Sequence, residues 1–515
     1  MRISVKKSGR GLHIRKEKRM SSQDTASLSA EVFKGTKWYM AMRWSIRGLG
    51  FVSSAFLARL LMPEDFGLVA TVLVIFGLIS LLFEFGVNWA LIQNNKATDD
   101  HFHTAWTLRL LQALVVAILL AAFSPLIAGI YGDVRLELIC QIFAVGTLIR
   151  GFENIGTVKL QKDMRFSKDF LYNVAPKVIS TFITIGLAFH YKSYMALVIG
   201  AVSNNLIIVI SSYLVINFRP KFSFVRIADI WGFSQWILIR NIAEYISTQG
   251  DLFILSMLTT PAKIGYYKWG TELSFMAITE IQQPFTRALI PGMVKIKHDH
   301  ERLIAAYLKA LSMMTLVAVP LALGFGAVAE QLIPLFLGGG DKWMPIVPLI
   351  QSLVFFAMCT SMYGISGSML TITGDVKYTA YIYWIQALVT VVTIFPAFYF
   401  AGLMGVAYSR ALIGIIMFIV ISFLTVSRCA VTFGQITAVV WRPVVSGVAM
   451  FAALLNISAL WGLSVWTLLL AKVLIGGLLY VFFMIVLWIL SGKPETVEKD
   501  FLEKLQIKNI LHGNG

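Results

Sequence analysis

From residue 38 onward the chain alternates long apolar runs with short polar connections. Windowed hydropathy divides it into about fourteen segments of spanning length. They cover 38–61, 66–92, 104–129, 136–156, 171–190, 194–217, 229–258, 266–290, 303–328, 345–371, 378–399, 403–427, 437–459 and 465–491. The first run, WYMAMRWSIRGLGFVSSAFLARLL, is interrupted by Arg43 and Arg47. Their i, i+4 spacing puts both guanidinium groups on one helical face, with Gly50 and Ser54 beside them. A charge inside a spanning helix costs roughly 2.5–3.5 kcal/mol on insertion scales, so such residues turn toward a bundle interior or an aqueous cavity. The pair is therefore a cationic stripe suited to an anionic ligand.

The pattern also repeats. LMPEDFG (61–67) is echoed by TTPAKIG (259–265), and ALIQ (90–93) by ALIP (288–291), both at an offset of 198 residues. HFH (101–103) answers HDH (298–300) with one residue of slip. An offset of this size covers six spans, so the two halves share one orientation and an axis along the membrane normal relates them. The expected fold is an all-α polytopic membrane protein with two six-helix lobes, 35–217 and 229–427, related by a pseudo-two-fold. Residues 218–228 link the lobes, and two further helices lie within 437–491.

Composition agrees. Of 515 residues, 57% are hydrophobic and 14% charged, against about 25% charged in soluble domains. The net charge of +17 would suit nucleic acid in a soluble protein, but its distribution gives another reason. Alternate connections, with the tails, hold 27 Lys and Arg on one side and six on the other. The positive-inside rule then places both termini in the cytoplasm, with a basic N-terminal tail at 1–34 and a C-terminal tail at 492–515. The N-terminal tail reads as disorder plus a topology signal. The first apolar run starts too late and runs too long for a cleaved signal peptide, and reads as a retained anchor. The three cysteines lie far apart in apolar segments and read as small core residues.

The repeat directs attention to the second lobe, where Arg240 falls opposite Arg43 and Asp251 opposite Ser54. Arg240, Glu244 and Asp251 share a helical face within about 40°. Glu84 and Glu280 stand in spans 2 and 8. Arg43, Arg47 and Arg240 are the candidate substrate-binding residues of a cationic cleft. Glu84, Glu244, Asp251 and Glu280 are candidates for ion coupling, since burial raises a carboxyl pKa, although pairing with the arginines explains them about as well. The two His-x-His pairs lie at helix starts without nearby cysteine and are not read as metal sites. No Walker loop, His-Glu-x-x-His or nucleophile elbow stands in a soluble stretch, and no connection is long enough for a catalytic or ATP-binding domain. The reading is a non-enzymatic transporter without cofactor or metal, driven by an ion, potential or substrate gradient.

The stretch ARLLMPEDFGLVATVLVIFGLISLLFEFGVNWALIQNN, followed by LQKDMRFSKDF, resembles the bacterial polysaccharide transporter family of Wzx-type oligosaccharide flippases, close to its colanic-acid-type members. That family belongs to the multidrug/oligosaccharidyl-lipid/polysaccharide exporter superfamily. The resemblance implies alternating-access movement of an undecaprenyl-diphosphate-linked oligosaccharide from the cytoplasmic to the periplasmic leaflet of the inner membrane. It also implies basic cleft residues on the diphosphate, and a polysaccharide polymerase and glycosyltransferases as associated partners. The rivals are a drug/cation antiporter of the same superfamily, which would want an acidic, aromatic cavity, and a lipid-linked peptidoglycan precursor flippase. A membrane-embedded polymerase or ligase would need a larger external loop than this chain has.

Overall fold

The computed structural model describes residues 22–82, 91, 97–162, 165–227, 234–338, 340–457 and 464–492. These form long helices with no strand among the described residues. The first half holds α1 (Ser22–Leu60), α2 (Pro63–Leu82), α3 (Asp99–Tyr131), α4 (Arg135–Gly151), α5 (Phe166–Tyr191) and α6 (Met195–Val215). The second holds α7 (Ser234–Leu258), α8 (Pro261–Lys295), α9 (His300–Leu337), α10 (Val347–Thr373) and α11 (Val376–Cys429), followed by α12 (Phe433–Ile457) and α13 (Val465–Leu490). Nine of the described helices are long and apolar enough to cross a membrane by length and composition.

One of the nine crosses back. The α11 backbone leaves helical geometry at Ala401 and Gly402, where Gly402 takes φ +56°. A straight helix would hold Thr393 and Ser409 about 24 Å apart, yet their hydroxyls meet at 3.0 Å. The element is therefore a hairpin of two antiparallel arms, as the break between 399 and 403 predicts. At the other end of the chain the helix outruns its apolar stretch. Residues 22–34, expected as part of a disordered tail, continue α1. Their Ala, Leu, Glu and Lys content and lack of proline favour helix, so it need not stop where hydrophobicity does.

The two halves pack by one scheme. In the first, α3 packs on α4, α5 on α6, α4 on α6 and α1 on α5. In the second, α9 packs on α10, the arms of α11 on each other, α10 on α11 and α7 on α11. The C-terminal pair α12 and α13 attaches to this second lobe through α9.

The halves meet where α2 crosses α7 and α8. Both α2 and α8 open on the repeated proline, a residue suited to the first helical turn because its missing N–H would be unpaired there anyway. One turn later come Gly67 and Gly265, and the crossing is reciprocal. A Cβ on Gly67 would lie 1.7 Å from the Pro261 carbonyl oxygen, and one on Gly265 would lie 2.0 Å from that of Pro63. Only glycine lets two backbones approach so closely, and in a bilayer such close packing replaces the hydrophobic drive that water would supply. The pseudo-two-fold axis thus passes between these two glycines.

Candidate functional site

The interlobe cleft is sealed at the end that carries Pro63 and Pro261. Trp343, fully buried, donates its indole N–H to the Ala58 carbonyl at 2.9 Å, and Lys342 Nζ donates to the Leu61 carbonyl at 2.6 Å. Arg59 returns the contact, donating to the Leu335 carbonyl at 3.0 Å. Phe66 packs edge-on against both Trp269 and Trp343, and Phe51 stacks on Phe336 at 3.9 Å. Beside the seal, Arg135 bridges Glu64 on α2 (2.6 Å) and Asp133 (2.7 Å) in the α3–α4 turn. Hydrogen bonding from that guanidinium holds the Asp133 carboxyl below the usual carboxylate range.

Toward the other end the cleft loosens. Among the described side chains of α1, buried positions begin only at Ser53, and the turns that carry Arg43 and Arg47 are half-buried or exposed. Both arginines reach across to the same turn of α8. Arg47 forms an ion pair with Glu280 at 2.6 Å and donates to the Thr279 hydroxyl at 3.3 Å. Arg43 donates to the Thr279 carbonyl at 3.5 Å. The Arg47 and Glu280 side chains remain 41% and 34% exposed, so this pair stands in a space open to solvent. Counted along α1 at 1.5 Å per residue, Arg47 lies about 20 Å from Leu60 and Arg43 about 26 Å. Across a hydrocarbon core of about 30 Å both arginines sit on the unsealed side of the midplane, Arg47 closer to the midplane and Arg43 closer to the unsealed end.

Asp251 stands elsewhere. It lies about 10 Å from the sealed end of α7 by the same count, and its partner is Arg410 at 3.1 Å, each side chain 3% exposed. Tyr267 donates its hydroxyl to the same carboxylate at 2.6 Å, and the Leu252 N–H donates at 2.8 Å. Arg410 also donates to the Ser247 carbonyl at 2.9 Å and sits over the Phe356 ring at 4.1 Å. This is a saturated, buried network inside the second lobe. The sequence pattern pairs Asp251 with the lead-helix arginines; the tertiary fold instead brings it the single basic residue of the stretch 403–427, and that charge balance was the available signal. Glu244 is half-buried on α7, where its carbonyl accepts the Ser247 and Thr248 hydroxyls. Arg240 belongs to α7 by its backbone, while its side chain, like the whole of Glu84, lies outside the described residues.

A second network locks the first lobe, and of it the sequence shows only the close pair Arg150 and Glu153. Glu153, buried, takes ion pairs from Arg109 and from Arg150 (2.8 Å) and accepts the Tyr172 hydroxyl. It ties α3, α4 and α5 together near their unsealed ends.

Residues 56–348 match the family described as polysaccharide biosynthesis protein, which spans more than half of the chain. The chain belongs to this family. It is 24% identical over 348 residues to the lipopolysaccharide biosynthesis protein WzxC of Escherichia coli (strain K12), covering 67% of this chain and 70% of that protein. To the teichuronic acid biosynthesis protein TuaB of Bacillus subtilis (strain 168) it is 22% identical over 401 residues, 76% of this chain and 82% of its relative. In three dimensions it is similar to the lipid II flippase MurJ in an inward closed conformation. That likeness has a TM-score of 0.71 at 15% identity, over 88% of this chain and 99% of that one. It shows a shared all-α fold. The chain is thus a multi-pass membrane protein of polysaccharide biosynthesis, and its relatives carry the names of polysaccharide transport and biosynthesis proteins.

Proposed function

We propose that this protein is a flippase that carries an undecaprenyl-diphosphate-linked oligosaccharide from the cytoplasmic to the periplasmic leaflet of the inner membrane. The observation that carries the reading is the pair Arg43 and Arg47 in a cleft that is sealed at one end and loosens toward the other, in a member of a polysaccharide biosynthesis family. The loosened end carries the basic connections, so the positive-inside rule makes it cytoplasmic, with both termini on that side. The structure is then a cytoplasm-facing state. A diphosphate head group entering the cleft meets planar guanidinium groups that stay charged and bind phosphate oxygens two at a time. Glu280 holds Arg47 in place until substrate arrives and is the acid to be released or protonated when it does. Arg240 is the proposed third cation, contributed by the equivalent helix of the second repeat. The moving bodies are residues 35–217 and 229–427, joined through 218–228, with 437–491 riding on the second. A polysaccharide polymerase and glycosyltransferases supply and consume the substrate.

The test is polysaccharide export in a flippase-deficient strain, normalised to correctly folded protein in the membrane. A charge-assisted hydrogen bond is worth roughly 1.5–3 kcal/mol, so Arg43→Ala, Arg47→Ala and Arg240→Ala should each lower substrate affinity about ten-fold or more. Arg→Lys keeps charge without the planar fork and should fall between. Normal export by all three alanine variants would refute the cationic-cleft reading. Loss of folded protein rescued by Glu280→Gln would reduce Arg47 to a structural partner.

A further inference from the structure

A second cationic cavity stands on the flank of the first lobe, away from the cleft. It holds about 430 Å³ where the short helical segment Val158–Lys162, the first turn of α5 and the end of α6 converge. Lys159, Arg165 and Lys168 enter its lining against an apolar wall of Leu214, Val215 and Phe218. None of the lining residues comes from α1, α2, α7 or α8, the helices that meet between the lobes.

The cavity is built rather than incidental. Asn154 donates its side-chain N–H to the Phe218 carbonyl at 2.6 Å and its backbone N–H to Ser212 Oγ at 3.0 Å, which fixes the end of α6 against the 154–158 turn. Lys159 is held by Asp99 at 2.7 Å and lies over the Phe102 and Phe218 rings at 4.7 and 4.5 Å. Asp169, one position beyond Lys168, is buried and accepts a hydrogen bond from Asn173 at 3.1 Å. Arg165 and Lys168 are exposed at the mouth. From its rim Leu214, Ile210 and Leu206 run back along α6 at i, i+4 spacing, all exposed. On a spanning helix such a stripe faces lipid. Cations at a helix end beside an apolar track match both parts of a lipid: a phosphate head and an acyl chain.

We propose that this cavity binds the phosphate head group of an anionic glycerophospholipid, with one acyl chain lying along Leu206, Ile210 and Leu214. A free phosphate would gain only the charges; a phospholipid gains the track as well. The site sits where α5 begins and α6 ends, so a bound lipid would hold the first lobe at the membrane surface while the second lobe moves against it. This inference does not depend on the flippase reading, because binding is measured without transport.

The experiment is native mass spectrometry of the full-length protein in detergent, titrated with phosphatidylglycerol or phosphatidylcholine. Wild type should prefer phosphatidylglycerol, and Arg165→Gln/Lys168→Gln should weaken that preference about ten-fold. Lys221→Gln/Arg226→Gln, which removes the same charge from exposed positions of the neighbouring linker outside the cavity lining, should leave the preference intact. The charge-conserving Arg165→Lys/Lys168→Arg should also retain it, which separates lost binding from misfolding. An unchanged preference in the Gln pair, or an equal loss in the linker control, would overturn the proposal. So would displacement of phosphatidylglycerol by millimolar pyrophosphate, which would make this a free-anion site, or by equimolar undecaprenyl phosphate, which would make it a carrier-lipid site.

Discussion

Two ion pairs of similar length do different work because water reaches one and not the other. Arg47 and Glu280 meet at 2.6 Å with over a third of each side chain exposed, and exposed pairs contribute about 0–1 kcal/mol. Asp251 and Arg410 meet at 3.1 Å with 3% exposed, and removing one partner of a buried pair costs about 3–5 kcal/mol by stranding the other charge. We therefore expect Asp251→Asn or Arg410→Gln to cut the yield of folded protein sharply. Arg47→Ala and Glu280→Gln should leave the thermal midpoint nearly unchanged. A double-mutant cycle on each pair, read by thermal unfolding in detergent, checks this. A coupling at Arg47–Glu280 as large as that at Asp251–Arg410 would make the cleft pair structural.

The α2–α8 crossing depends on two glycines that face each other's first turn. Ala at either position places a methyl within 2.0 Å of a backbone oxygen, which no rotamer change can relieve. Gly67→Ala or Gly265→Ala should force the sealed end apart and shift the population toward a state open there. In a cysteine-free background a thiol at position 58, buried in the wild type, should react faster with an impermeant reagent when either alanine is present. Unaltered reactivity would mean that the crossing relaxes locally without moving the lobes. The repeat LMPEDFG/TTPAKIG was legible in the sequence, as were the helices that it begins. That the two copies touch each other was not, because a repeat fixes equivalence and says nothing about distance.

The orientation of the whole molecule follows from charge and can be tested from outside the cell. Lys297 lies in a connection of the basic set, Lys263 and Asp341 in the opposite set, and all three are exposed. Single cysteines at 263 and 341 should react with an impermeant thiol reagent in intact cells, and a cysteine at 297 only after permeabilisation. The reverse pattern would invert the direction of transport proposed above.

Hydropathy marked the apolar core of the long helices and the hairpin break near 401, and the motif repeat marked the two-fold plan, because a bilayer demands long apolar segments with every backbone group satisfied internally. That demand is local, so it is written residue by residue. Charge placement marked Arg43 and Arg47 as candidates for the cleft, since a buried cation is costly wherever its helix packs. Partners were decided only by the tertiary structure. Glu280 answers Arg47, Arg410 answers Asp251, and Glu153 collects two arginines and a tyrosine. Apart from the local i, i+3 pair of Arg150 with Glu153, each of these contacts depends on the rotation and depth of two helices, which a pattern along one helix does not contain.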